Sequence, residues 1–177
     1  MSKLNVGSGR PRGKYKKSHQ WLNIDIHEIP GVRQTDFLDV TPYWREEFDE
    51  VHAIHCLEHV NRNRREEFVE KCAFVLEPGG VCYIEVPDFE ATIRNLIYAI
   101  KKDDHVEEHR MTTSVFGKQR YPGDQHCWGF TNRTLYELCE PHFDSVEIFT
   151  DGANREKMIS EHWNQERVLL AECKKKR

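Results

Sequence analysis

The run VCYIEV at residues 81–86 is the most strand-like segment of the chain, and a helical pattern stands on each side of it. In the preceding segment, RREEFVEKCAFVL, apolar residues recur at helical spacing, and EPGG then ends the helix because proline and glycine cannot continue it. In the following segment, Asp88 stands at an N-cap position, and apolar residues from Phe89 to Ile100 line one helix face. A strand between two helices is typical of a parallel sheet in an α/β fold.

The rest of the chain continues this alternation. A further helix is predicted around LYELC, with Thr131 as its N-cap. The last two strands follow one another without a helix between them, which predicts a hairpin and therefore an antiparallel strand at the edge. We expect a mostly parallel sheet with helices on both faces. The other six strands are predicted at KLNV (3–6), WLNIDI (21–26), RQTDFLDV (33–40), EVHAIHCL (50–57), DSVEIF (144–149) and RVLLAEC (167–173).

Length and composition favour one globular domain, spanning residues 1–177. The formal net charge of -4 gives no general attraction to nucleic acid. No run of about 18 apolar residues occurs and a strand begins almost at the first residue, so we expect no membrane span, membrane partner or signal peptide. The six cysteines are scattered without a CxxC pair, which favours free thiols in a reducing cytoplasm over a disulfide framework.

Ligands of open α/β sheets bind beyond the carboxyl ends of the strands, at the point where the strand order reverses. The predicted strands therefore direct attention to the residues at which they end. These residues are Gly7, Ser8, Gly9, Asp25, Asp36, His55, Cys56, Pro87 and Asp88.

The stretch VHAIHCLEHV at 51–60 is rich in residue types that bind zinc. His52 and His55 stand three apart on a predicted strand, so their side chains point to opposite faces. A metal needs three or four converging ligands, and this spacing does not supply them. We therefore expect no metal site; Glu58 and His59 would instead cap and orient the turn that follows the strand.

Four stretches, in the order LNVGSG, WLNIDI, FDEVHAIHCLEHV and LEPGGVCYIEVPDF, resemble the class I S-adenosylmethionine-dependent methyltransferases. A fifth, HCWGFTNRTLYELCEPHF, resembles the segment after the substrate loop in the small bacterial and phage branch of predicted methyltransferases. The resemblance implies a Rossmann-like, seven-stranded, mostly parallel sheet with an antiparallel last strand and S-adenosylmethionine as cofactor. Pro11 and Gly13, between GSG and WLNIDI, imply a shortened first helix.

The same resemblance implies how the cofactor is held. The GSG loop wraps the methionine part, where glycine lets the backbone approach a ligand, and Asp25 accepts the ribose hydroxyls. Asp36 and the backbone after it hold adenine, with Asp39 as the alternative, and the backbone after the fourth strand lines the pocket. The implied cofactor-binding residues are Gly7, Ser8, Gly9, Asp25, Ile26, Asp36, Phe37, His55 and Cys56.

Two features depart from the family pattern. Asn5 stands where an acidic residue is often found two positions before the first glycine, and a basic loop replaces most of the first helix. Arg10 or Arg12 in that loop would pair with the carboxylate of the cofactor.

The polar stretch 103–125 is too long for an ordinary connection. It is either a lid over the substrate or a disordered insertion, and the aromatic residues mixed with charges near its end favour a lid. An oxygen or nitrogen acceptor must lose a proton, and the candidates for the catalytic base are Asp88, His126 and His59.

The favoured function is methyl transfer from S-adenosylmethionine to a small-molecule, sugar or glycan-precursor acceptor. A non-catalytic, methyltransferase-like binding module is the alternative. An NAD-dependent enzyme is disfavoured, because GSGRPRG spaces its last glycine one residue too far for GxGxxG and no helix follows to receive a pyrophosphate.

Overall fold

Seven strands form one mixed sheet in this computed structural model, which describes residues 2–16, 19–39, 42–159 and 167–176. The strands are Lys3–Val6 (β1), Trp21–Asp25 (β2), Arg33–Gln34 (β3), Phe48–Ile54 (β4), Leu76–Pro87 (β5), Ser145–Thr150 (β6) and Val168–Lys174 (β7). Their order across the sheet is β3-β2-β1-β4-β5-β7-β6. Neighbours are parallel except at β7, which is antiparallel to both β5 and β6, so the predicted mostly parallel sheet with an antiparallel last strand is confirmed.

Strand β7 is antiparallel as predicted, but it does not lie at the edge of the sheet. It lies between β5 and β6 and pairs with both, so the edge on this side is β6. The prediction of an antiparallel edge strand is therefore wrong in position. Because β7 lies between β5 and β6, its backbone groups can form hydrogen bonds on both sides, which those of an edge strand cannot do.

The third strand is shorter than predicted. Only Arg33–Gln34 pairs with β2, and Phe37–Asp39 forms a 3-10 turn instead of continuing the predicted strand over 33–40. Asp36 explains the change, because its Oδ1 accepts a hydrogen bond from the backbone N–H of Leu38 at 2.9 Å and so favours a turn. Residue 40 lies outside the described residues.

Three of the helices begin at a side chain that caps them, namely Asp88, Asp104 and Thr131. Asp88 accepts from the N–H of Ala91 at 3.0 Å, as predicted, and Thr131 forms a capping box with Thr134. None of the helices in the described part of the chain combines the length and the apolar composition needed to cross a bilayer. The helices are Arg65–Val75 (α1), Phe89–Lys102 (α2), His105–Phe116 (α3), Asn132–Cys139 (α4) and Asp151–Asn154 (α5).

Helix α3 occupies the first half of the stretch 103–125, for which the sequence predicted a lid or a disordered insertion. The insertion alternative is wrong for 105–116, which is helical, begins at the N-cap Asp104 and packs along α2. Residues 117–125 form a loop that returns to the end of α3, where the N–H of His126 donates to the carbonyl of Phe116 at 3.1 Å.

The apolar core lies on one face of the sheet. Alternate residues of the strands point to this face, where they meet α1 and α4. The central residues of this core, all fully or almost fully buried, are Leu4, Val6, Ile24, Val51, Ala53, Phe68, Cys72, Ile84, Leu135, Leu169 and Ala171.

The opposite face of the sheet carries buried polar side chains, among them Asn5, His52 and Glu85. Their neighbours are irregular segments: Tyr15 of the loop after β1 bonds to His52, and the N–H of Ile159 donates to Glu85 at 2.7 Å. The expectation of helices on both faces is therefore wrong for this region. Because the first helix is reduced to a 3-10 turn at Gly13–Tyr15, polar contacts take the place of its apolar face.

A hydrogen-bonded chain joins these polar groups. The hydroxyl of Tyr15 lies 2.7 Å from Nδ1 of His52, and Nε2 of His52 lies 2.6 Å from Oε1 of Glu50. Lys3 pairs with the other oxygen of Glu50. The hydrogen bond from His52 is the main cause that lowers the pKa of Glu50 to about 2, while burial lowers the pKa of His52 itself. The neutral His52 therefore donates from Nε2 and accepts from Tyr15 at Nδ1.

We predict that Glu50→Gln removes part of the acid sensitivity of folding. The pKa of Glu50 is about 2 in the folded protein and 4.5 in the reference state, so its stabilisation is present above pH 4.5 and is lost as the pH falls towards 2. Urea unfolding at a series of pH values should show the wild type losing about 1–2 kcal/mol more than Glu50→Gln over this range, after allowance for solvent screening. Glu47→Gln, at an exposed position, should behave like the wild type, and parallel curves for wild type and Glu50→Gln would contradict the assignment.

Candidate functional site

The carboxyl ends of β1, β2 and β4 lie side by side. They form an edge of the sheet made of strand ends, not of an outer strand. Strand β1 lies between the other two, with Val6 paired to Ile24 on one side and to Ala53 on the other. The chain leaves β1 towards β2 and returns on the far side as β4, so this edge is the point where the strand order reverses. Ligands of open α/β sheets bind at this point.

The GSG loop turns sharply at this edge. Gly7 and Gly9 have φ values of +61° and +51°, in the left-handed region that favours glycine. A Cβ on Gly7 would stand 2.5 Å from Sγ of Cys56, so β1 and the end of β4 approach each other too closely for any side chain there. A Cβ on Gly9 would meet no atom within 4 Å, so the space above it is open.

Asp25 fixes the loop in place. Its Oδ2 accepts from the N–H of Gly9 and its Oδ1 accepts from the N–H of His27, each at 2.9 Å. The carboxylate is 8% exposed and each oxygen keeps a second lone pair for a ligand. The next residue, Ile26, is 54% exposed and faces outward with an apolar surface.

Asp36 and Phe37, the residues of the predicted adenine site, differ in burial. Phe37 is buried and packs edge-on against Phe68, with ring centroids 5.1 Å apart, so its side chain belongs to the core. Asp36 is exposed and caps the turn that follows it. Burial is the main cause that raises the pKa of Cys56, and the negative charge of Asp36 adds to it.

His55 ends β4 in an unusual conformation, with φ +51°. Its Nδ1 lies 3.4 Å from Oε1 of Glu58, and its Nε2 lies 3.4 Å from Oε1 of Glu85. Burial opposes the positive charge, but the hydrogen bonds and charges of the two carboxylates outweigh it and raise the pKa of His55 to about 9. The side chain of His55 is thus an imidazolium at neutral pH. The adjacent Cys56 has its pKa raised by burial and is an unreactive thiol.

His59 and His126 come together although they are far apart in the chain. Their ring centroids lie 4.9 Å apart, edge to face. The N–H of Cys127 donates to the carbonyl of Glu58 at 2.7 Å and joins the two segments. Burial lowers the pKa of His126, so this side chain is neutral at pH 7.

Asp88, the third predicted catalytic residue, has a structural role as the N-cap of α2. Its Oδ1 caps α2 through Ala91, and its backbone N–H donates to the carbonyl of Arg167 at 2.7 Å. Burial raises the pKa of this carboxyl group.

The loop 117–125 closes over the edge of the sheet. Gly117 is required because a Cβ there would stand 2.4 Å from the carbonyl oxygen of Asp124. Arg120 bonds to both oxygens of Asp124 and holds the loop shut, and Tyr121 packs edge-on against His27 with ring centroids 5.1 Å apart. The loop thus reaches the end of β2 as well as the two histidines.

One large cavity opens beside this edge, with a volume of about 1190 Å³. Its wall includes the GSG loop, the basic loop after it, His55 and the loop 117–125. Among the residues that line it are Gly7, Ser8, Gly9, Arg10, Arg12, Lys14, His55, Arg120 and Tyr121.

Sequence reasoning missed Glu85 and gave Glu58 only a capping role. Glu85 was visible as a carboxylate inside the apolar run VCYIEV, where a buried charge needs a partner. The partner, His55, comes from the neighbouring strand. No spacing rule within either strand predicts this pair.

We predict that Gly7→Ala destabilises the protein more than Gly13→Ala. Both glycines have a left-handed φ, +61° and +50°, but only Gly7 has a neighbour at the Cβ position. The shared backbone strain should cost about 1–2 kcal/mol, and the clash with Cys56 should add about 1–3 kcal/mol. Chemical denaturation of both variants measures the difference, and equal losses would show that the close approach has no energetic weight. Adding Cys56→Ala to Gly7→Ala should recover part of the stability lost to the clash, and none of the stability lost to backbone strain.

Comparison with known proteins agrees with this geometry. The sequence model of the family described as "Methyltransferase domain" matches residues 8–84. No curated protein sequence matches the chain.

Solved structures resemble nearly the whole chain. A SAM-dependent methyltransferase from Archaeoglobus fulgidus is 16% identical with a TM-score of 0.64, over 98% of this chain and 86% of that one. The 1,6-didemethyltoxoflavin-N1-methyltransferase of Burkholderia thailandensis, solved with 1,6-didemethyltoxoflavin and S-adenosylhomocysteine, is 17% identical with a TM-score of 0.63, over 99% and 71%. A possible histamine N-methyltransferase from Thermotoga maritima is 13% identical with a TM-score of 0.63, over 99% and 82%. The chain therefore shares its fold with S-adenosylmethionine-dependent methyltransferases, and its residues 8–84 are similar to the methyltransferase-domain family.

Proposed function

We propose that the protein transfers the methyl group of S-adenosylmethionine to a small-molecule, sugar or glycan-precursor acceptor. The observation that carries this proposal is the carboxylate of Asp25, which ends β2, is 8% exposed and is tied to the N–H of Gly9. An acidic side chain at this position accepts the two ribose hydroxyls of a bound nucleoside.

The residues present fit the cofactor. The space above Gly9 has no atom within 4 Å of a Cβ position, so the loop forms a cradle with room for a ligand. Asp25 would receive the ribose, Asp36 and the backbone of Phe37 the adenine, and Ile26 would pack against the base with its exposed side chain. Bound there, S-adenosylmethionine supplies an activated methyl group on a sulfonium.

The methionine part would lie beside His55 and Cys56, whose backbone follows β4. Its carboxylate would pair with Arg10 or Arg12, which line the cavity in the loop that replaces the first helix. A basic loop thus does the work that a helix N-terminus does in other nucleotide-binding folds.

The acceptor would lie beside His59 and His126. For an oxygen or nitrogen acceptor, a neutral imidazole nitrogen would take the proton as the acceptor atom receives the methyl group. S-adenosylmethionine, held by the residues named above, would supply that methyl group from its sulfonium and would keep the electron pair of the broken bond on sulfur. The lowered pKa of His126 supports this role, because the nitrogen must be unprotonated at neutral pH. Asp88 remains the alternative base, although its carboxylate already caps α2.

Two solved relatives favour a small acceptor. One is a 1,6-didemethyltoxoflavin-N1-methyltransferase and the other a possible histamine N-methyltransferase, and both share this fold with the chain. The loop 117–125 would act as the predicted lid, since Tyr121 lies against His27 and Arg120 lines the cavity. The six cysteines form no disulfide, which supports the cytoplasm as the compartment.

We predict that Asp25→Ala weakens binding of S-adenosylmethionine at least tenfold, because loss of a charged hydrogen-bond partner costs about 1.5–3 kcal/mol. Calorimetric titration measures the affinity, and circular dichroism checks the fold. Asp25→Asn keeps one acceptor oxygen and should show a smaller loss, while Glu28→Ala, at an exposed position nearby, should leave the affinity unchanged. A folded Asp25→Ala protein with wild-type affinity would remove Asp25 from the cofactor site.

We predict that His126→Ala lowers turnover by a factor of about 10²–10⁴ and leaves S-adenosylmethionine affinity within a few-fold. Release of S-adenosylhomocysteine, measured over a panel of small-molecule acceptors, reports turnover. His109→Ala is the control, because this histidine is exposed on α3.

Asp88→Asn separates the rival bases. Asparagine caps a helix as well as aspartate does but cannot take the proton. Full activity in Asp88→Asn together with the loss in His126→Ala would assign the acceptor side to the histidines. The reverse result would assign it to Asp88. Cofactor binding without turnover on any acceptor would favour the non-catalytic binding module.

A further inference from the structure

We propose that Glu58, His59 and His126 form a binding site for one divalent first-row transition-metal ion on the acceptor side of the methyltransferase pocket. One ligand atom from each of the three side chains lies within 4.8 Å of the others. Two imidazoles and one carboxylate are a donor set that catalytic zinc and iron sites use. To form bonds of about 2.0–2.2 Å to a common ion, the three atoms must move closer together, which needs only a small movement of the side chains.

The hydrogen bonds of the two histidines leave the coordinating nitrogen available. Nδ1 of His59 lies 3.0 Å from the carbonyl of Gln125, and Nδ1 of His126 lies 2.9 Å from the carbonyl of Ser114. A carbonyl can only accept, so Nδ1 of each ring carries the proton and Nε2 keeps its lone pair. Histidines that bind metals almost always donate their other N–H in this way, which fixes the ring and raises its basicity.

Glu58 supplies the second, independent observation. Its side chain is 2% exposed, and Oε2 has no hydrogen-bond partner among the described residues. The other oxygen, Oε1, faces His55 at 3.4 Å. Burying a carboxylate oxygen without a partner costs free energy, and a cation is the ligand that best removes this cost.

The backbone holds the three residues in register. Glu58 and His59 lie in one 3-10 turn, and the carbonyl of Glu58 accepts from the N–H of Cys127, next to His126. The backbone N–H of His126 donates a hydrogen bond to the carbonyl of Phe116, which fixes the backbone of His126. A site built on such contacts needs little rearrangement to bind an ion.

The sequence argument against a metal concerned His52 and His55. Those two do diverge, since His52 binds Tyr15 and Glu50 on the polar face while His55 lies between Glu58 and Glu85. The argument does not apply to His126, which follows the loop 117–125 and is held at the end of α3.

Three protein ligands leave coordination positions open, so the ion would also bind the acceptor. This consequence rests on the proposed function. A hydroxyl or phenol oxygen bound to the ion would lose its proton more readily, because the positive charge lowers its pKa. The two imidazoles would then act as ligands, and the proton would pass to solvent.

Metal binding can be tested without the cofactor or an acceptor. Protein purified without a metal-affinity tag and treated with a chelator is titrated with Co²⁺, and visible ligand-field absorption and calorimetry report binding. We expect one Co²⁺ per chain, displaced by Zn²⁺, with the affinity at least tenfold lower in Glu58→Gln and in His126→Asn. His109→Asn, at an exposed position on α3, should bind as the wild type does.

The wild type failing to bind Co²⁺ or Zn²⁺ would overturn the proposal, as would equal binding by wild type, Glu58→Gln and His126→Asn. Circular dichroism of each variant confirms that a lost site is not a lost fold. S-adenosylmethionine affinity measured with chelator present separates the two proposals. If the metal site fails but the cofactor still binds, only this inference is wrong; if cofactor binding fails while Co²⁺ binds, only the proposed function is wrong.

Discussion

The close approach of β1 to the end of β4 is the constraint on which the site depends. Gly7 lies so near Sγ of Cys56 that no side chain fits between them. The approach places the GSG loop, the carboxylate of Asp25 and the turn after β4 around one edge of the sheet.

Glu58 connects the end of β4 with the segment that carries His126, because its carbonyl accepts from the N–H of Cys127. Burial alone would raise its pKa, but the hydrogen bond from His55 and the nearby histidines lower it, so the carboxylate is charged. One of its oxygens faces the imidazolium of His55, and the other has no hydrogen-bond partner among the described residues. A change of charge at His59 or His126 is therefore felt through Glu58 at His55, which lines the cavity with the GSG loop.

The sheet and most helix boundaries could be predicted from sequence because they follow from local rules. Apolar runs marked the strands, and Asp88 and Thr131 marked helix starts through their capping side chains. The position of β7 and the meeting of His59 with His126 could not be predicted, because they depend on contacts between distant segments. The helix 105–116 was missed although its N-cap, Asp104, is local, because the stretch is polar. Asp25 was singled out by the position at which its strand ends, whereas the pairing of Glu85 with His55 became visible only when β5 was placed beside β4.

The placement of β7 has a consequence for how the protein is made. During synthesis β5 emerges long before β7, and β6 has no partner in the described sheet other than β7. Until residues 168–174 leave the ribosome, β5 presents an unpaired edge whose run Val81–Val86 is apolar on the core side. A nascent chain at this stage is a ready template for intermolecular strand pairing. The sheet is therefore complete only after residues 168–174 have been translated, and β5 keeps an open edge until then.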